Sequence, residues 1–214
     1  MKKGLFITIE GPDGAGKSTQ IDFIKRYFEE KGIEAIFTRE PGGTSISEKI
    51  REIILDKNNA EMDYMTEAML YAAARAQLVN QVILPAVRDG KVVVCDRFVD
   101  SSIAYQGYGR KLGDVVEIIN GYVIGECIPD LTLLLKLDSE KGMSRIEENG
   151  TDRKGKDRLE LEKISFHREV LRGYLELEQK YERIIGIDAG QSIEEVSNDI
   201  RAELDRVLKG KYEL

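Results

Sequence analysis

The residues best equipped for chemistry stand close to the start of the chain. Gly11-Pro12-Asp13-Gly14-Ala15-Gly16-Lys17-Ser18-Thr19 fits the spacing GxxxxGK(S/T). Glycines at these positions let successive backbone N–H groups turn inward around a phosphate. A helix beginning where the motif ends adds partial positive charge. Lys17 is long enough to reach the β- and γ-phosphates of a nucleoside triphosphate, and the Ser18 hydroxyl can ligate Mg²⁺. An apolar run, Leu5–Ile9, precedes the motif and an amphipathic pattern succeeds it, which is the context a phosphate loop requires. Binding a triphosphate does not by itself identify a reaction.

Residues beyond the loop narrow the choice. No NKxD base-reading motif occurs, and the only DxxG outside the loop is Asp152–Gly155, with no strand before it. Motor and transport ATPases commonly end an apolar strand in Asp-Glu, whereas here Val92-Val93-Val94-Cys95 runs into Asp96-Arg97. Asp96 is placed to act in a magnesium shell. An arginine beside it suits a second anion better than a water to be activated. If the acceptor is itself a phosphate, cations must offset the repulsion between donor and acceptor. No strong base is then needed, because a phosphate monoester with a second pKa near 6 is already largely dianionic at neutral pH. A kinase acting on a hydroxyl would want a carboxylate base, and Glu10 is the candidate for that rival. Arg39, Arg51, Arg75, Arg97 and Arg110 could gather around an acceptor phosphate.

These residues need a scaffold, and the hydrophobic pattern supplies one. Strands are predicted at 5–9, 34–38, 91–95, 131–137 and 183–188, alternating with segments whose apolar residues recur every three or four positions. One such stripe is Ile193, Val196, Ile200, Leu204 and Val207. Capping-box spacings at Ser45/Glu48 and Ser192/Glu195 mark two helix starts. The alternation predicts an α/β fold of the P-loop NTPase kind, a five-stranded parallel sheet with helices on both faces. Ligands of such sheets bind at the carboxyl ends of the strands. The exception is 149–158, which has no apolar residue, two glycines and the basic residues Arg153, Lys154, Lys156 and Arg158. It reads as a loop, either plainly solvated or serving as a lid.

Composition sets the outer bounds. A chain of 214 residues, 42% hydrophobic and 33% charged, fits one soluble domain spanning 1–214 rather than a disordered chain. With 32 Lys+Arg against 39 Asp+Glu, the formal charge of −7 argues against sequence-blind nucleic-acid binding. Cys95 and Cys127 form no disulfide framework, and one histidine, His167, offers no metal cluster. His167 has no role beyond a surface or packing position. The apolar run ended by Glu10 is too short for a secretory h-region of roughly 7–15 residues. No stretch approaches a span of about 20 apolar residues. The expected setting is a reducing cytoplasm, with no membrane partner.

Taken in order, several blocks carry a resemblance. They are Phe6-Ile7-Thr8-Ile9-Glu10-Gly11 leading into the loop, Thr38-Arg39-Glu40-Pro41-Gly42-Gly43-Thr44, and Tyr71-Ala72-Ala73-Ala74-Arg75-Ala76-Gln77. Asp96-Arg97-Phe98, Asp100-Ser101-Ser102-Ile103-Ala104-Tyr105-Gln106-Gly107 and Asp157-Arg158-Leu159-Glu160 come after them. The chain resembles the thymidylate kinases, P-loop nucleoside monophosphate kinases, over essentially its whole length. The resemblance implies transfer of the γ-phosphoryl of ATP to dTMP, with Mg²⁺, in dTTP biosynthesis, by a homodimer. It implies that Tyr71, where the family usually has Phe, stacks on the thymine ring and that Arg75 bonds the ring's carbonyl edge. Ser102 and Gln106 become further base contacts, and Tyr105 crowds the sugar C2′. Asp13 stands near the 3′-hydroxyl and acceptor phosphate, and Arg97 and Arg51 form the acceptor-phosphate clamp, with Arg39 ranked below them. Because the phosphate loop holds no basic residue at positions 12–15, the resemblance is to the bacterial style, in which a basic lid supplies the catalytic arginine. Arg153 is the expected γ-phosphate contact, and Arg158 is expected to engage phosphate or brace the closed lid. Another nucleoside monophosphate or deoxynucleoside kinase, or a nucleotide-binding regulatory module without transfer, are the alternatives.

Overall fold

The computed structural model describes residues 4–148 and 158–212. The chain runs β1 (Leu5–Glu10), α1 (Lys17–Glu30), β2 (Ala35–Arg39), α2 (Ser45–Leu55), α3 (Tyr64–Leu78), a π-helical turn (Val79–Ile83) and α4 (Leu84–Arg88). It continues with β3 (Val92–Asp96), α5 (Val99–Ser102), a π-helical segment (Ile103–Gly109), α6 (Val115–Ile124), β4 (Leu131–Lys136) and α7 (Ser139–Glu148). The last elements are α8 (Ile164–Lys180), β5 (Ile184–Asp188) and α9 (Ile193–Tyr212). All five strands are parallel, in the order β2-β3-β1-β4-β5.

Both faces of the sheet are covered, and the period-two alternation of β1 assigns them. Leu5, Ile7 and Ile9 pack with Ile24, Tyr27 and Phe28 of α1 and Val196, Ile200, Leu204 and Leu208 of α9. Phe6 points the other way, into a core with Leu78, Phe98, Phe166, Val170 and Tyr174. On that same face β1 turns polar toward its end. Thr8 exchanges a 2.7 Å hydrogen bond with Thr132, and Glu10 is fully buried.

Three details differ from the sequence-based expectation. The strands β1, β2 and β3 each extend through the polar residue that ends them, because the ladder still pairs Glu10 with Leu134, Arg39 with Asp96 and Ile9 with Asp96. The cap of α2 is Thr44 rather than Ser45: Thr44 is extended (φ −139°, ψ 158°) and its hydroxyl accepts from Ser47 N. Glu48 is thereby released from capping, accepts from Gly43 N at 2.8 Å and pairs with Arg39. On α9 the buried stripe is Val196, Ile200, Leu204 and Leu208, while Ile193 is exposed at the helix start. The Ser192/Glu195 box is formed, Ser192 N donating to Glu195 and Glu195 N to Ser192 Oγ. Among the described residues, no helix is long and apolar enough to cross a membrane.

Candidate active site

A cavity of about 480 Å³ opens at the carboxyl ends of β1, β2 and β3. The phosphate loop bounds one end of it. Gly14 (φ 77°) and Gly16 (φ 87°) take left-handed conformations that only glycine adopts freely, and Gly16 caps α1. A Cβ at Gly14 would stand 2.3 Å from the carbonyl oxygen of Gly142, so the loop is also tight against α7. Asp13, Gly14, Gly16, Lys17, Ser18 and Thr19 line the cavity. Gly11, Pro12 and Ala15 do not: Ala15 is core, and the carbonyls of Gly11 and Pro12 accept from Lys17 Nζ at 3.0 and 2.9 Å. Burial, reinforced by the like charge of Arg97, pushes the Lys17 ammonium down to about 8. The lysine is thus held on the carbonyls of its own loop.

Strand β3 delivers the second group of charges. Arg97 takes φ 65°, an uncommon conformation for a non-glycine residue, and its amide donates to Ile9 O. That turn brings its guanidinium back over β1, where NH2 pairs with Asp13 at 2.5 Å and NH1 donates to Gly11 O, Ser101 Oγ and Tyr174 Oη. Tyr105 donates to the other oxygen of Asp13 at 2.9 Å, and its ring lies under Arg97. Burial opposes the Asp13 charge, but Arg97 and Lys17 outweigh it and hold the carboxyl below its ordinary range. Asp96 lines the same cavity as Ser18 and Thr19, and its Oδ1 is buried without a hydrogen-bond donor among the described residues. An orphaned carboxylate oxygen beside a hydroxyl and a triphosphate cradle fits a magnesium ion, which takes few protein ligands and completes its shell with phosphate and water.

The opposite end is built by α3 and the π-helical segment. Tyr71 and Arg75, at i and i+4, share a face of α3 and both line the cavity, as do Ser102, Tyr105 and Gln106. Arg75 is only 1% exposed and already committed: it pairs with Glu40 at 2.5 Å and donates to Ser102, Asn120 and Phe98 O. Its Nε is buried without a hydrogen-bond partner among the described residues. Arg51 and Arg39 line the rim. Arg51 donates to Pro41 O, and Arg39, exposed, is held by Glu48.

Three expected positions land elsewhere. Arg110 does not line the cavity; it lies between the rings of Tyr64 and Phe166 and pairs with Glu67 and Glu162. Arg158, 8% exposed, turns away from the cavity, its Nε donating to Ile54 O and its NH2 lying 2.6 Å from Glu67. Among the described residues, these two contacts are of the bracing kind. Glu10, the base of the hydroxyl-kinase rival, is sealed under the site. It accepts from Phe98 N, Ser101 N, Ser101 Oγ and Tyr174 Oη, and it does not line the cavity. Arg153, Lys154 and Lys156, with the rest of 149–157, lie outside the described residues. His167 is buried on α8, edge-on to Phe166.

Sequence reasoning passed over the buried partners, chiefly Glu67 and Asn120. A signal existed: Glu67, Tyr71 and Arg75 recur at i, i+4 and i+8, one continuous stripe of α3. A lone glutamate in a helix reads as solvated until its two arginines, distant in sequence, are seen to fold over it.

Comparison with known proteins agrees with this geometry. A family model described as thymidylate kinase matches residues 9–200. A thymidylate kinase of Clostridium novyi (strain NT) is 48% identical over 206 residues, covering 95% of this chain and 100% of that protein. One from Bacillus velezensis is 47% identical over 208 residues, covering 96% and 97%. The crystal structure of thymidylate kinase from Ehrlichia chaffeensis superposes with a TM-score of 0.76 at 29% identity, over 95% of this chain and 99% of that one. The chain belongs to the thymidylate kinase family.

Proposed function

We propose that this kinase transfers the γ-phosphoryl group of ATP to the phosphate of dTMP, yielding dTDP and ADP, within a single nucleoside monophosphate kinase domain. The observation that carries the reading is one cavity with two unlike ends. Lys17, Asp13 and Arg97 stand at one end, and Tyr71, Arg75, Ser102 and Gln106 at the other. The phosphate loop and Lys17 hold the donor, Lys17 exchanging the carbonyls of Gly11 and Pro12 for phosphate oxygens. Arg97, backed by Arg51, holds the acceptor phosphate and cancels its repulsion from the donor. Asp13 and Tyr105 fix the guanidinium of Arg97 and bound the sugar. No residue need remove a proton, since the acceptor phosphate is largely ionised at neutral pH. Ser18 and Asp96 would hold Mg²⁺, which would supply positive charge against the phosphates. Arg153 of the basic segment is assigned to the transferring γ-phosphoryl, and Arg153→Ala is expected to lower kcat by about 10³–10⁵-fold. Retention of full kcat would move that role to a lysine of the segment or to Arg158.

A homodimer belongs to the same reading. α3 packs on both α2 and α6, and this group of helices leaves Ile46, Ile53, Met69, Ile118 and Tyr122 exposed, the last to 88%. A cytoplasmic location follows from the nucleotide substrates proposed. The deciding experiment measures ADP release with dTMP, dUMP, dCMP, AMP and thymidine as acceptors. dTMP should lead the panel. Equal or better turnover of AMP or thymidine would sink the assignment, and ATP binding without acceptor-dependent ADP release would favour a regulatory module.

A further inference from the structure

Glu67 is fully buried on α3, beneath the base end of the cavity, and three hydrogen-bond donors and a second guanidinium converge on it. Arg110 gives Nε to Oε1 at 3.2 Å and NH2 to Oε2 at 3.1 Å, and Arg158 NH2 forms an ion pair 2.6 Å from Oε2. The third donor is the amide nitrogen of Gln106, 2.8 Å from Oε1. A carboxylate paired with two guanidinium groups can only accept, so the Gln106 amide has one permitted orientation. Its nitrogen must face Glu67, which leaves the carbonyl oxygen as the acceptor that Gln106 offers to the cavity it lines. Flipping the amide would set its oxygen against the carboxylate inside a site that is 1% exposed at Gln106, where such a mismatch is costly.

We propose that Glu67 is a specificity-determining positioning residue: by locking the Gln106 amide it makes the site accept a pyrimidine whose ring N3 carries a hydrogen and reject one whose N3 is a bare acceptor. Thymine and uracil present an N–H at that position, and cytosine presents a lone pair. Arg110 and Arg158 act through Glu67 by keeping it an acceptor. The inference rests on the reading that a pyrimidine base lies against Gln106. It goes beyond that reading by naming what gives Gln106 its polarity.

The test measures dissociation constants of dTMP and dCMP for the wild type, Glu67→Gln and Gln106→Leu, together with KM for ATP. Glu67→Gln permits the Gln106 amide to rotate, so the preference for dTMP over dCMP should fall by about 10-fold or more, with KM for ATP unchanged. A residue of purely structural importance would weaken both ligands alike and leave the ratio intact. That result in Glu67→Gln, with the ratio lost in Gln106→Leu, overturns the inference and leaves the base contact standing. An unchanged ratio in both variants overturns the inference and the base contact together. Should Glu67→Gln fail to fold for want of a charge beside Arg110, the double variant Glu67→Gln/Arg110→Met removes the orphaned cation and reads the same ratio.

Discussion

The two ends of the cavity handle charge in opposite ways. At the base end the buried charges are paired with one another: Arg75 with Glu40, and Arg110 and Arg158 with Glu67, all at exposures below one tenth, although Arg75 Nε and Glu40 Oε1 keep no hydrogen bond among the described residues. At the transfer end the charges rest mainly on partners that a phosphate can replace or join. Lys17 sits on backbone carbonyls, Asp96 Oδ1 has no donor among the described residues, and Arg97 has one paired carboxylate, Asp13, itself one fifth exposed, its other contacts being Gly11 O and hydroxyls. A neutral heterocycle is read by fixed dipoles, so the charges that orient those dipoles must already be satisfied. A polyphosphate brings its own charge, so the groups awaiting it keep unspent electrostatic capacity.

Lys17 and Arg75 put this contrast to its most direct test. Lys17→Ala is expected to lower kcat by about 10³-fold or more, with little change in unfolding free energy, since burial already disfavours its charge. Arg75→Ala should behave in the opposite way, losing roughly 3–5 kcal/mol of stability by urea denaturation because Glu40 is left buried and unpaired. Its surviving activity should show a raised KM for dTMP and weaker base choice, with KM for ATP little altered. Equal loss of stability in the two variants would abolish the distinction.

A smaller effect concerns pH. With Lys17 held down to about 8, kcat/KM for ATP should decline above about pH 8, approaching tenfold per unit, as the free enzyme loses that proton. A profile flat to pH 10 would show that the lysine carries no such depression.

The smallest expected effect lies beneath the site. Burial, with the charge of Asp100 next, raises the Glu10 carboxyl from 4.5 to about 7. A carboxyl raised on folding contributes stability that is fully present below about pH 4.5 and lost as pH rises through about 7. Relative to Glu10→Gln, the wild type should lose on the order of 1–3 kcal/mol across that window. Parallel urea midpoints for the two proteins from pH 5 to 7.5 would refute it.

Much of the scaffold and of the transfer end is legible in the sequence, because both are local in sequence. The phosphate loop is a run of nine residues, and each strand is a mostly apolar run of five or six. Asp96-Arg97 ends a strand, and strand ends gather at one edge of a parallel sheet, so their meeting with Lys17 follows from topology. The base end is not local. Glu67 meets Arg110 across 43 residues, and Arg75 meets Glu40 across 35 and Asn120 across 45. Arg110 and Arg158 illustrate the consequence: by type and neighbourhood both suited a phosphate, yet both pair with the buried Glu67.

Fold class, phosphate cradle and the identity of the cations available to it are written in the order of the residues. Periodicity and motif spacing are properties of neighbouring residues, and physics acts on neighbours without knowledge of the rest of the chain. Which cations remain free for phosphate, and which are spent in pairs, is settled only in the folded molecule. The energy of a buried charge depends on what the fold packs around it, and that surrounding is assembled from α2, α3, the π-helical segment and α8 only when the chain has closed.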